Sequence, residues 1–208
     1  MFNREYYIHN IPVFVFGETE PQVDIPLFCN QIEELLPRAV LQNVDVCYIS
    51  ENPKLDGRNA AYSDGAIYMK LNEPTNEDMI ENFVHEAAHA AEAVDPNFIY
   101  DDSLVAEFAG KRRRLYHLLN AAGFDQTPQR RYEYLEYNEA FDNFLSDVVG
   151  YPTLLSITMG LFCSPYGATS IQEYFANGFE KYFTESPQYL RKISPVLYQK
   201  VEAVLNGR

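Results

Sequence analysis

Basic side chains are scarce in this chain: 16 lysines and arginines stand against 30 aspartates and glutamates, for a formal net charge of −14. With a pI near 4.6, such a surface repels phosphate backbones and anionic headgroups, which argues against general nucleic-acid binding and against an anionic membrane surface. The plain reading of the acidity is solubility, and the partner it would suit is a basic peptide or protein. Cysteine is sparse too. Cys29, Cys47 and Cys163 are odd in number, widely spaced and set among apolar residues. That pattern suits reduced core thiols better than a disulfide framework or a cysteine-based zinc site. No apolar run reaches the length of a membrane span. The early run Ile11 to Phe16 is short and leads into Gly17-Glu18-Thr19-Glu20 instead of a small-residue cleavage site, so no signal peptide is expected. As written, the chain reads as cytoplasmic, with delivery outside the cell by another route left open. Internal repeats and low-complexity tracts are lacking as well.

What is present is enough for one core. At 208 residues, 47% hydrophobic and 14% aromatic, the chain is expected to form a single domain. Tyr6 to Phe16 is β-branched and aromatic with Pro12 inside, which predicts one or two strands near a sheet edge. Asp24 to Val40 carries helical spacing, ended or kinked at Pro37. Val44 to Ser50 reads as a strand and Asn52 to Arg58 as a loop. Ala60 to Leu71 reads as a hairpin turning at Ser63-Asp64-Gly65. Thr75, with Asp78 three residues on, caps a helix running to about Val94, whose apolar stripe is Ile80, Val84, Ala87 and Ala91. The small residues Ala87, Ala88, Ala90 and Ala91 would let another element approach closely. A second helix spans Ser103 to Asn120 with Leu104, Phe108, Leu115 and Leu119 inward, and its run Lys111-Arg112-Arg113-Arg114 reads as a solvated, salt-bridged face. Thr127-Pro128 predicts a third helix that ends near Gly150 and buries Tyr137, Phe141, Phe144 and Val148. Pro152 to Met159 is a shorter helix, Ser170 caps the next, and Ser186-Pro187 and Ser194-Pro195 start two more, the last stopping at Gly207.

The chemistry enters at His85-Glu86-Ala87-Ala88-His89. On a helix, residues four apart share a face, so His85 and His89 present two imidazoles to one metal while Glu86 flanks it as a general base. A single histidine is usually a satisfied core residue; two at this spacing with a glutamate between them point to metal. A catalytic zinc takes three protein ligands and leaves a position for water, and three carboxylates compete for the third place. Asp95 lies where metzincins keep their last ligand, but that arrangement needs a glycine at position 92, and Glu92 stands there. Glu92 itself is two turns from His85, and ligands strung along three turns of one helix diverge too far for a tetrahedral site. Glu173 is the strongest candidate, because a separate helix can bring its carboxylate in from across the site.

Tyr166, seven residues before Glu173, followed by Glu173-Tyr174-Phe175-Ala176 and Phe179, resembles the gluzincin zinc peptidases related to the anthrax lethal factor catalytic domain and the clostridial Pro-Pro endopeptidases. The likeness covers mainly residues 60 to 95 and 164 to 205, including Ser194-Pro195 and Tyr198. It implies a zincin-like α+β fold: a small mixed β-sheet N-terminal lobe over residues 1–73, packed on the HExxH helix over 74–95, then a helical insertion over 97–163 and the third-ligand and C-terminal helices over 164–208. It also implies His85, His89 and Glu173 as zinc ligands, Glu86 as base and Tyr166 as the donor to the oxyanion. Two departures stand out. Asn177 occupies a place where these peptidases usually put an acid, and would accept from His85 through its amide oxygen with less effect on the imidazole's basicity. The insertion is longer than the pattern needs and would roof the cleft or dock a partner.

The expected function is zinc-dependent endopeptidase hydrolysis through a metal-activated water, with Glu86 passing the proton to the leaving amine. Ala66, Ile67, Tyr68 and Met69 directly precede the active-site helix and are expected to form an edge strand, to which an extended substrate adds, or which is simply structural. Two other functions compete with this one: a zinc hydrolase of non-peptide amides, and a retired zincin-like fold serving as a structural or binding module. Intact Glu86 and Tyr166 argue against retirement.

Overall fold

Two hairpins and one lone strand build the sheet of the computed structural model, which describes residues 3–55, 57–124 and 128–207. The protein is α+β, and the chain divides into two compact units: residues 1–95 with 203–208, and residues 96–202. Among the described residues no helix is long and apolar enough to cross a membrane.

In the first unit, β1 (Asn3–Ile8) pairs antiparallel with β2 (Ile11–Phe16), and β2 runs parallel to β3 (Val46–Ser50). A second hairpin of β4 (Ala60–Ser63) and β5 (Ala66–Met69) joins through β5, which is parallel to β3, giving the order β1-β2-β3-β5-β4. Side chains alternate across the pleat. Val13, Val15, Cys47, Ile49, Ile67 and Met69 are fully buried, while Phe14, Tyr48 and Tyr68 stack on the other face, with ring centroids 5.9 and 5.5 Å apart. The two-residue turn of the second hairpin needs positive φ at both positions: Asp64 has φ 50° and Gly65 φ 81°.

Helix α1 (Ile25–Leu35) is capped by the Asp24 side chain, which accepts from the Leu27 N–H, and it buries Ile25, Phe28, Cys29 and Ile32. It ends ahead of Pro37, as expected, because Leu36, the residue before the proline, is pushed into extended conformation (φ −107°, ψ 118°). Helix α2 (Asn76–Glu92) starts at Thr75, whose side chain accepts from the Asp78 N–H at 3.1 Å. The starts of the two helices are tied reciprocally. The Asp24 N–H donates to Asn76 Oδ1 at 2.8 Å, and Asn76 Nδ2 donates to the Asp24 carbonyl at 2.9 Å. The buried stripe of α2 is wider than the spacing predicts: Met79, Phe83, Ala88 and Ala90 join Val84, Ala87 and Ala91, whereas Ile80 is only half-buried.

In the second unit, α3 (Pro96–Ile99) and α4 (Asp102–Ala121) come first. A 3-10 turn follows at Gln129–Glu133, then α5 (Glu139–Asn143), which passes into a π turn at Phe144–Val149. Next come α6 (Tyr151–Thr158), α7 (Ile171–Thr184), α8 (Pro187–Ile193) and α9 (Pro195–Leu205), the last of which belongs to this unit up to residue 202. The continuous third helix expected up to Gly150 is not there. Thr127, its predicted start, lies outside the described residues. Tyr134 is extended (ψ 132°), and Asn138 supplies the cap by accepting from the Phe141 N–H at 3.0 Å. The π turn then shifts the phase by one residue, so Leu145 and Val149 face inward while Val148 is 51% exposed; Tyr137 is 53% exposed as well.

The larger correction concerns Lys111 and Arg112. Both are buried, Arg112 to 1% exposure. Lys111 Nζ donates to the carbonyls of Leu161 at 2.5 Å and Ile193 at 2.6 Å, and burial pushes its pKa down, partly offset by Glu107 and Cys163. Near them, the Glu107 carboxylate accepts from the Tyr174 hydroxyl at 2.9 Å and from the N–H groups of Val196 and Leu197 at 2.9 and 3.1 Å, so one α4 side chain holds α7 and the start of α9. α7 and α9 touch at Gly178, where an added Cβ would lie 2.2 Å from Leu197 Cδ2. Gly178→Ala must displace the Leu197 side chain or part these helices, at an expected cost of about 1–3 kcal/mol. Urea unfolding measures it; an unchanged midpoint would show that Leu197 swings aside freely.

Candidate metal centre

Helix α2 presents two imidazoles on one face. Their ring centroids are 5.1 Å apart, with planes at 73°. One turn on, Glu92 Oε1 lies 3.2 Å from His89 Nδ1, a contact that orients the ring and leaves Nε2 as the outward nitrogen. Glu86 points differently. It is 9% exposed, and its Oε2 accepts the backbone N–H of Tyr62 at 2.7 Å. The Asn59 carbonyl accepts from Lys70 N–H at 2.9 Å, which makes that pair and every second one toward the turn the bonded pairs of the hairpin. The Tyr62 amide therefore points away from β5, along the outer edge of β4, where the glutamate takes it up.

This register overturns one expectation. Ala66, Ile67, Tyr68 and Met69 form β5, and β5 is paired on both sides, by β3 and by β4. Its backbone groups are spent in the ladder, so no extended substrate adds to it. The edge belongs to β4.

Glu173 stands at the start of α7. Ser170 caps α7 by accepting from the Glu173 N–H at 3.1 Å, which sets Glu173 in the first turn of the helix. Upstream, a 3-10 turn at Tyr166–Ala168 ends with the Thr169 hydroxyl donating to the Tyr166 carbonyl at 2.8 Å. Tyr166 is 37% exposed, and its hydroxyl donates to Glu173 Oε1 at 3.2 Å. The partner found for Asn177 is the Ser164 hydroxyl, which donates to its Oδ1. Ser164 Oγ in turn accepts from the Gly167 N–H at 3.3 Å. Asn177 thus fastens α7 to the turn that carries Tyr166.

Two contributors escaped the sequence reading. The Tyr62 amide carries no side-chain signal and is visible only through strand register. Arg112 is different. Its guanidinium donates to the carbonyls of Ala168 at 2.6 Å and Thr169 at 3.1 Å, where the Tyr166 turn runs into α7, and to that of Arg131 at 2.9 Å. It lies 4.1 Å from the centre of the Phe141 ring, and burial lowers its pKa to about 10. A signal was present: positions 111 and 112 fill the gap in the inward series 104, 108, 115, 119 of α4.

One donor atom from each of His85, His89 and Glu173 lies within 4.8 Å of the others. Two imidazole nitrogens and one carboxylate oxygen are a donor set that zinc takes at hydrolytic sites, and atoms so close are compatible with one shared ion. No family model, curated protein or solved structure matches the chain.

Proposed function

We propose that the protein is a zinc-dependent endopeptidase of the gluzincin kind, with His85, His89 and Glu173 holding the ion. The observation that carries this reading is the convergence of those three donors, with Glu86 beside two of them on α2. A zinc ion bound there would polarise the scissile carbonyl and make water a nucleophile at neutral pH. Glu86 takes the proton of the attacking water and delivers it to the leaving amine. The Tyr62 N–H aims that carboxylate before substrate arrives. Tyr166 donates its hydroxyl to the oxygen on which negative charge develops, and its bond to Glu173 holds it ready at the site. The acidic chain, at −14, favours a basic peptide or protein as substrate.

Metal analysis on purified protein tests the centre: about one zinc per chain is expected, and none after reconstitution would remove the proposal. Peptide-library cleavage read by mass spectrometry, wild type against Glu86→Ala, separates a peptidase from an amide hydrolase of another class and from a silent fold. Tyr166→Phe is expected to lower kcat by roughly 10²-fold with KM little changed, because its bond forms in full only in the transition state. Wild-type kcat in that variant would take the role away from Tyr166.

A further inference from the structure

Helix α6 and the turn before it present an open apolar face. Val148, Tyr151, Leu155 and Met159, spaced three and four residues apart, are 51%, 41%, 56% and 78% exposed. Large apolar side chains gathered in this way mark a binding surface more often than solvent-facing padding. Two of them, Tyr151 and Leu155, line an open cavity of about 600 Å³ together with Pro152, Ser164, Pro165 and Tyr166. Its wall is almost wholly apolar apart from the Ser164 and tyrosine oxygens. Tyr166 connects it to the chemistry: the residue that closes one side of the cavity is the one whose hydroxyl meets Glu173. The rim is acidic. Asp147 is exposed and Asp142 half-buried; burial first, and then these two carboxylates, push the Tyr151 phenol up.

We infer that this cavity is a specificity pocket that takes a bulky apolar side chain of the peptide substrate, with a basic residue next to it in the peptide lying on the Asp142 and Asp147 rim. The inference rests on the peptidase reading and supplies what that reading leaves open, the substrate class. Covering the α6 face removes apolar surface from water. The adjoining carboxylates attract a cation and repel an acidic neighbour. A lone apolar ligand would leave the rim unused, and a purely basic peptide would leave the pocket unfilled.

The test uses the Glu86→Gln protein loaded with zinc, so that peptides bind without being cleaved, and three fluorescein-labelled decapeptides that differ only at two adjacent positions: Leu-Lys, Ala-Lys and Leu-Glu. Fluorescence anisotropy is expected to give the Leu-Lys peptide a Kd about tenfold lower than either control. Leu155→Asp is expected to abolish the preference for Leu over Ala, and Asp147→Lys to abolish the preference for Lys over Glu. Both side chains are exposed, so the variants are expected to keep the wild-type melting temperature. Equal Kd values for the three peptides, or preferences that survive both substitutions, overturn the inference. A dimer in sedimentation that Leu155→Asp dissolves also overturns it, since a second copy would then be what covers the face. Cleavage by the wild type is scored separately. Peptides bound with these preferences but never cut sink the peptidase reading and leave the pocket; peptides cut without the preferences do the reverse.

Discussion

Glu86→Ala is expected to keep its zinc and to lose about 10²–10⁴-fold in kcat, the range that one positioned general base supplies. The metal survives because Glu86 is not among the three clustered donors, and His85 and His89 remain on an intact helix. Activity falls because the only role proposed for this carboxylate is to accept the proton of the attacking water. Its second bond makes a finer comparison available. The Tyr62 N–H, 2.7 Å from Oε2, loses its acceptor in Glu86→Ala, at a cost of about 1–3 kcal/mol. Glu86→Gln keeps an acceptor in that place and cannot act as a base. The two variants are therefore expected to be equally inactive while Glu86→Gln is the more stable. A fluorogenic peptide assay paired with metal analysis and thermal unfolding reads all three quantities. Cleavage within tenfold of wild type in either variant would end the base assignment.

Arg112→Met is expected to be the most damaging substitution away from the metal. It removes a side chain only 1% exposed that is the shared donor to three carbonyls, those of Arg131, Ala168 and Thr169. Stranded buried acceptors cost roughly 1–3 kcal/mol each before relaxation, so a net loss of about 3–5 kcal/mol is expected, a fall in Tm of roughly 10 °C. Arg112→Lys is expected to recover little, because one ammonium cannot reproduce the planar fork that spans acceptors on two segments or stack on Phe141. Calorimetry checks both. A loss below about 1 kcal/mol for Arg112→Met would show that water replaces the guanidinium without penalty. Because Ala168 and Thr169 follow Tyr166 closely, the same variant is expected to loosen that tyrosine.

Much of this was legible in residue pattern because local chemistry decided it. Thr75 and Ser170 each start a helix by accepting one backbone N–H, and both stand where a polar cap precedes an apolar periodic run. Asn138 does the same for α5, but the expectation of a longer helix from Thr127 concealed it. Asp64-Gly65 dictates a tight hairpin, and the four-residue spacing of His85 and His89 sets their rings side by side on α2. What stayed hidden depended on partners far along the chain. Whether β5 is an edge is settled by β4 on one side and β3 on the other, and nothing within Ala66–Met69 encodes that. Arg112 looks like a solvated cation until carbonyls from residues 131, 168 and 169 surround it. Val148 and Val149 exchange faces because a π turn adds a residue to the helical period, a shift that apolar spacing does not announce.

The sheet's connectivity has a kinetic consequence. Each hairpin closes on itself across a short turn, on the order of microseconds for such elements. β3 has no such local partner: both its neighbours are parallel to it and reached only through longer connections. Val46–Ser50 is therefore the keystone on which two quickly formed halves wait, and the search that brings it between them sets the pace at which α2 gains the floor it rests on.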